Sequence, residues 1–194
     1  RFETLPDEVL IPRVAAAIRE GKIVGWFQGR MEWGPRALGN RSILADPRRA
    51  EMKDLVNRCV KYREEFRPFA PVVKEEAYGD CFETLGMLAS PYMLYTHQAL
   101  QPEQTAAVTH VDGTSRVQTV SAEQNPYLYR ILDAFERRTG VPVLINTSFN
   151  LRGEPIVSSP SDALKTFFAS GIDCLALEDC LVDKDMAGIA ALAP

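Results

Sequence analysis

The amino-acid sequence predicts an α/β or α+β domain built around one twisted mixed sheet. Three observations point there. Stretches with a helical apolar stripe alternate with short apolar runs of strand length. An Asp112-Gly113 pair sits between two alternating segments, the signature of a hairpin. The chain then closes in strand-helix-strand order between residues 141 and 184.

The elements follow in order. PDEVLIPRVAAAIREG (6–21) sets Val9, Leu10, Val14, Ala17 and Ile18 at mostly helical spacing, with acids early and Gly21 as the stop. Pro12 falls inside this pattern and is a candidate for the true helix start. KIVGWF (22–27) reads as a buried strand. The stretch after it holds Gly29, Gly34, Pro35 and Gly39 and reads as a shaped loop with at most one short helical turn. DPRRAEMKDLVNRCVK (46–61) predicts a helix, with Asp46 as N-cap, Pro47 at the first position and Met52, Leu55, Val56, Cys59 and Val60 in one stripe. FRPFAPVVKEE (66–76) is extended with bends at Pro68 and Pro71, and PYMLYTHQ (91–98) reads as a Tyr-rich strand. AAVTHVDGTSRVQTV (106–120) predicts a hairpin closed by a type I′ turn. NPYLYRILDAFERRTG (125–140) is a helix capped by Gly140, and VPVLINTSFN (141–150) is a strand ending in polar residues. SPSDALKTFFASG (159–171) is a helix with Ser159 as cap and Pro160 in its first turn. IDCLALEDCLVDK (172–184) is a strand or strand pair, and 185–194 a frayed tail.

Charge and composition narrow the function. The chain has 22 Lys+Arg against 26 Asp+Glu, a net of -4. That argues against a general nucleic-acid binder, which needs a basic face, but leaves room for a local basic cleft. Cys59, Cys81, Cys174 and Cys180 form no C-x-x-C pair, and His97 and His110 have no cysteine at zinc-finger spacing. Buried free thiols, no metal site and a cytoplasmic setting are the expectation. No segment approaches the roughly 20 apolar residues of a membrane span, and no signal peptide is recognisable. The start at Arg1, without Met, suggests a piece of a longer chain. The P-loop, dinucleotide and G-x-S-x-G fingerprints are all missing.

Four stretches carry chemistry. WGPRALGNRS (33–42) puts Arg36 and Arg41 beside Gly and Pro, where a planar guanidinium fork can take carboxylate or phosphate oxygens in pairs. The alternative is a surface loop whose arginines pair with nearby acids. Arg48 and Arg49 read as a solvated helix start, and Arg30 stays undecided. KYREEFRPFAP (61–71) brings Lys61, Arg63 and Arg67. Helix-dipole matching accounts for the first two, but Arg67 lies past the expected helix end. THVDGTSRVQ (109–118) offers Arg116, or else a cross-strand partner of an acid, with His110 read as a half-buried structural histidine. LINTSFNLRGEP (144–155) runs a strand into Asn146, Thr147, Ser148, Asn150 and Arg152, donors suited to phosphate or to a polar turn. If the fold gathers these cations, they hold a strongly negative ligand, and chemistry there rests on positioning and charge neutralisation.

In this order, GRMEWGPRALGNRSILADPR, FRPFAPVV, HVDGTSRVQTV and PVLINTSFNLRGEPIV resemble the C-terminal domain of the carbamoyltransferase family. That family includes the NodU nodulation proteins and antibiotic-tailoring O-carbamoyltransferases such as the tobramycin and cephamycin enzymes. The resemblance runs from about Ile23 to Val182. It implies a YrdC/Sua5-like fold, a twisted mixed open sheet with flanking helices and a basic cleft, over residues 1–184. It implies an enzyme that makes carbamoyladenylate from carbamoyl phosphate and ATP with Mg²⁺, releasing phosphate and pyrophosphate. A Kae1-like N-terminal domain, absent from this chain, would bind the metal and the acceptor and complete the transfer to a hydroxyl or amine.

Carried over by position, Lys61, Arg67 and Arg116 are the implied catalytic residues, and with Arg36, Asn146 and Ser148 they bind substrate. Thr147, Asn150, Arg152 and Arg41 are implied nucleotide neighbours. The expected partners are small molecules and the N-terminal domain, with no membrane and no nucleic acid. An RNA-binding YrdC-like module and a threonylcarbamoyl-adenylate synthase are the alternatives.

Overall fold

A computed structural model describes residues 2–184. The expected tail at 185–194 lies outside the described residues. Among the described residues, eight of ten strands form one mixed sheet. They are β1 (Phe2–Thr4), β2 (Val24–Phe27), β3 (Arg41–Ala45), β4 (Ala70–Lys74), β7 (Gln118–Val120), β8 (Val143–Ser148), β9 (Cys174–Leu177) and β10 (Cys180–Asp183). Their spatial order is β1-β10-β9-β2-β3-β8-β4-β7. The β2/β9 and β4/β7 pairs are parallel and the other five antiparallel. The remaining two, β5 (Thr96–Gln98) and β6 (Thr114–Arg116), form a separate antiparallel ribbon.

The period of two along each strand divides the core into layers on the two faces of the sheet. Val24 and Trp26 of β2, Leu44 of β3, Leu144 of β8 and Cys174 and Ala176 of β9 share one layer with helices α1 (Asp7–Arg19) and α4 (Pro126–Thr139). Phe27, Ile43, Ala45, Ile145 and Leu175 belong to the other. It is covered by α2 (Glu51–Val56), the π-helical turn Asn57–Lys61 and α5 (Pro160–Phe168), while α3 (Tyr78–Cys81) sits with the first layer. Leu128, Ile131, Leu132 and Phe135 of α4 are all fully buried. Truncating one of them to Ala costs about 2–5 kcal/mol.

Both long C-terminal helices are capped as the sequence indicates. The Asn125 side chain accepts from Leu128 N at the start of α4, and Gly140, with φ +77°, closes it in the left-handed conformation. Ser159 and Asp162 form a reciprocal capping box on α5.

Several expectations need correction. The loop after Gly29 ends at Asn40, and residues 41–45 are a central strand. Pro12 does not start α1, which begins at Asp7 and carries Pro12 inside. Asp46 does not cap a helix, and the single helix expected over 46–61 is α2 followed by the π turn. Asp46 is instead fully buried and ion-paired with Arg48 at 2.7 Å, so Arg48 is not a solvated residue. The expected hairpin is a turn without the expected strand pair. His110 O accepts from Gly113 N at 2.9 Å, but β6 pairs with β5, and residues 106–109 form a helical turn. Asp112 has no positive φ, so the turn is not type I′. Its carboxylate accepts from the Thr114 amide and hydroxyl. The Tyr-rich segment at 91–98 is strand only over Thr96–Gln98.

Candidate functional site

Two loops and strand β6 meet at the carboxyl end of β8. The first loop, residues 28–40, carries Arg36. Its shape comes from one carboxylate: Glu32 Oε1 accepts from the backbone N–H of Leu38 and Asn40 at 2.7 Å each and of Arg41 at 3.3 Å. Asn40 links this loop to the start of α4, because its Oδ1 accepts from Asn125 Nδ2 at 2.9 Å. Close packing there demands glycine at 39. Its φ is +115°, and a Cβ would lie 2.4 Å from Leu128 Cδ2.

The second loop follows the π turn. Tyr62 ends that turn in the left-handed conformation, with φ 46°. Buried Asn57 then organises the arginines. Its Nδ2 donates to Glu65 O at 3.3 Å and Arg67 O at 2.9 Å, and its Oδ1 accepts from Arg63 Nε at 2.6 Å. The Arg63 guanidinium lies over the Phe69 ring, 4.8 Å from its centroid.

Arg116 comes from β6 and is half-buried. Asn146, Thr147 and Ser148 come from the end of β8. Around these residues lies a cleft with two joined cavities, an inner one of about 130 Å³ and an outer one of about 410 Å³. Both share Arg36, Arg63, Pro68, Phe69, Ala70 and Arg116 as wall residues. Arg67, Thr96 and His110 join the outer cavity, and Asn146, Thr147, Ser148 and Met93 the inner.

No Asp or Glu lines either cavity. Among the described residues, none of the four arginines makes an ion pair. Glu64, which feels Arg152, Arg67 and Arg63, is fully exposed. Burial first, and then the Arg36 charge, hold the Arg116 guanidinium below its ordinary value. Burial and Arg67 do the same to Arg63. Both stay cationic at neutral pH. An anion entering the cleft would relieve the repulsion of Arg116 by Arg36 and of Arg63 by Arg67.

The sequence-derived residues divide into two groups. Arg36, Arg67, Arg116, Asn146, Thr147 and Ser148 stand on the cleft walls. Lys61 stands behind the wall. Its Nζ donates to Ser148 O and Oγ and to Asn150 O and Oδ1, and burial, with Arg63 nearby, pulls it down to about 7. Asn150 is engaged by Lys61, Ser148 and Glu154, and exposed Arg152 donates to Tyr62 O. Arg41 is buried and away from the cleft. It donates to Gln28 O, Asn40 O and Gly29 O at 2.9 Å each and stacks 3.4 Å from the Phe27 centroid. Arg63 and His110 belong to the wall, although each reads as structural from its local sequence. Asn57, Glu32 and Gln118 carry no local signal, because their partners lie 6 to 80 residues away. Chemically, the site offers fixed cations, polar donors and no carboxylate base.

Comparison with known proteins identifies the family and the fold. Residues 15–184 match the family described as carbamoyltransferase C-terminus. The chain is 48% identical over 183 residues to nodulation protein NolO of Bradyrhizobium diazoefficiens, covering 90% of this chain and 33% of that protein. It is 41% identical over 166 residues to the 3'-hydroxymethylcephem-O-carbamoyltransferase of Streptomyces clavuligerus, covering 85% and 31%. The chain thus spans about a third of the length of the curated relatives it matches. Among solved structures, full-length HypF in the phosphate- and nucleotide-bound form aligns with a TM-score of 0.56 at 18% identity, over 95% of this chain and 22% of that one. The H234A/Y235A variant of P. abyssi Sua5 aligns with a TM-score of 0.55 at 14% identity, over 90% and 55%. The fold is therefore YrdC/Sua5-like, and the chain belongs to the carbamoyltransferase C-terminal family.

Proposed function

We propose that this member of the carbamoyltransferase C-terminal family binds carbamoyl phosphate and ATP in its arginine cleft and joins them into carbamoyladenylate. The activated carbamoyl group then passes to an acceptor hydroxyl or amine. The observation that carries this reading is the convergence of Arg36, Arg63, Arg67 and Arg116 on a cleft with no carboxylate in its walls. The kinship with the cephem O-carbamoyltransferase and the likeness to the phosphate- and nucleotide-bound HypF structure support it.

The chemistry suits the walls. Carbamate, freed from carbamoyl phosphate as its phosphoryl group passes to water, attacks the α-phosphorus of ATP. A P–O bond forms there as the bond to pyrophosphate breaks. The carbamate oxygen is already anionic, so this attack calls for no general base. Its obstacle is like-charge repulsion, which fixed guanidinium groups remove while stabilising charge on the phosphoryl oxygens. Ser148 and Thr147 add polar groups at the inner end. The walls hold no carboxylate to ligate Mg²⁺, so that ion would arrive on the nucleotide, where it neutralises phosphate charge. The acceptor site and the last transfer are assigned to the Kae1-like remainder of a longer polypeptide, which the length of the relatives supports.

The test is a reaction of this chain with carbamoyl phosphate and ATP·Mg²⁺, following pyrophosphate release and the mass of carbamoyladenylate. Arg67→Ala should abolish the product while its melting curve stays that of the parent. Unimpaired carbamoyladenylate formation by that variant would contradict the assignment. Threonine with bicarbonate, and tRNA across a salt series, serve as arms for the two other occupants of such a fold.

A further inference from the structure

Gln118 and Asn146 are both buried, at 3% and 1% exposure, and stand on β7 and β8 with β4 between them. They meet where β4 places Ala70 opposite Asn146, a residue with only a methyl side chain. A primary amide's two ends look alike, so its partners decide its orientation. Here backbone carbonyls decide it. Leu38 O can only accept, so Gln118 gives it Nε2, at 2.9 Å. Gln118 Oε1 is thereby turned to Asn146 and accepts from its Nδ2 at 2.6 Å. Ala37 O takes the other Nδ2 hydrogen at 3.2 Å.

Both hydrogens of the Asn146 amide are spent, and its Oδ1 is buried without a partner. Arg116 Nε, from another residue of the same inner cavity, is a buried donor without a partner. Folded proteins leave few such atoms, and each calls for an explanation. An acceptor set among cations does not suit phosphate oxygens, which are acceptors themselves. It suits a ligand N–H.

We propose that Gln118 is a specificity-positioning residue: by fixing the Asn146 amide it presents a lone acceptor oxygen to the NH₂ of a carbamoyl group, so the cleft takes carbamoyl phosphate and rejects acetyl phosphate, its methyl analogue. This rests on the carbamoyl phosphate reading above. The arginines recognise the phosphate that both compounds share, and the fixed amide reads the group that differs. A site built to bond a ligand N–H strongly disfavours an analogue lacking it, because the buried acceptor then stays unpaired.

Calorimetric titration of this chain with carbamoyl phosphate, acetyl phosphate and inorganic phosphate tests the inference. The parent chain should prefer carbamoyl over acetyl phosphate by about tenfold or more. Gln118→Leu should bring that ratio close to one while phosphate affinity stays within about twofold. Gln118→Glu, whose buried carboxyl when protonated donates to Leu38 O and accepts from Asn146 Nδ2, should retain the preference. Equal affinity of the parent for the two acyl phosphates, or an unchanged ratio in Gln118→Leu, overturns the inference and leaves the anion site standing. No binding of any of the three ligands overturns the reading of the cleft as well. The parent comparison decides even if the leucine variant does not fold.

Discussion

Lys61 donates from Nζ to Asn150 Oδ1 at 2.9 Å, from behind the cleft wall that Ser148 forms. A buried cation with four oxygen acceptors and no carboxylate partner acts here as a strut for the end of β8. Burial lowers it to about 7 from an ordinary 10.5. Between those values the unfolded chain holds a proton that the folded chain has released, so stability rises with pH across that window. Below pH 7 the full cost of burying the charge is present. Urea unfolding of the parent between pH 7 and 10 should show this rise, and Lys61→Met should lose most of it. A variant with the parent's pH slope would mean that Lys61 is not the group responsible.

Asn57 holds both arginine-bearing ends of the second loop through one amide. Asn57→Ala leaves every charge in place but strands the part-buried groups that Asn57 bonds, at about 1–3 kcal/mol. Denaturant titration should show that loss. Pyrophosphate affinity should also fall, although no cation has been removed. Full retention of affinity would separate Arg63 and Arg67 from any dependence on Asn57.

Gly39→Ala meets two penalties at once, a left-handed φ of +115° and a Cβ at 2.4 Å from Leu128 Cδ2. The expected loss is about 2 kcal/mol or more, read as a lower Tm. An unchanged Tm would show that the loop and the start of α4 are free to separate.

Glu32 holds the backbone amides of Leu38, Asn40 and Arg41, where the Arg36 loop runs into β3, on one oxygen. In Glu32→Ala the amides of Leu38 and Asn40 should exchange hydrogen faster, and anion affinity should fall with Arg36 left in place. Unaltered protection of both amides would place the loop's order elsewhere.

The long elements were legible because their signals are local. Asn125, Gly140 and Ser159 mark the ends of α4 and α5 within a few residues of the apolar stripe, and β8 is an apolar run after a helix stop. β3 was not legible. It opens with Arg41 and Ser42, which look like loop residues, yet both are buried, with Arg41 bonded to carbonyls of a loop 12 to 13 residues back. The π turn hid the same way, since Asn57 reads as a gap in one helix rather than as the hub of the next loop.

For the site, the four stretches pointed to Arg36, Arg67, Arg116 and the end of β8 as a group. What they lacked was direction. Nothing near Lys61 in sequence says that its amine reaches residues 148 and 150, and nothing near Gln118 names Asn146. Those distinctions depend on strand order, which a local pattern does not encode.

The central claim is that Arg36, Arg63, Arg67 and Arg116 surround one anion. Its most direct measurement is calorimetric titration with pyrophosphate of the parent chain and of Arg36→Ala, Arg116→Ala and the exposed control Arg49→Ala. The expected outcome is a loss of about tenfold or more for each cleft variant and no change for the control. Cleft variants that bind as tightly as the parent, or a control that weakens as much as they do, would contradict it.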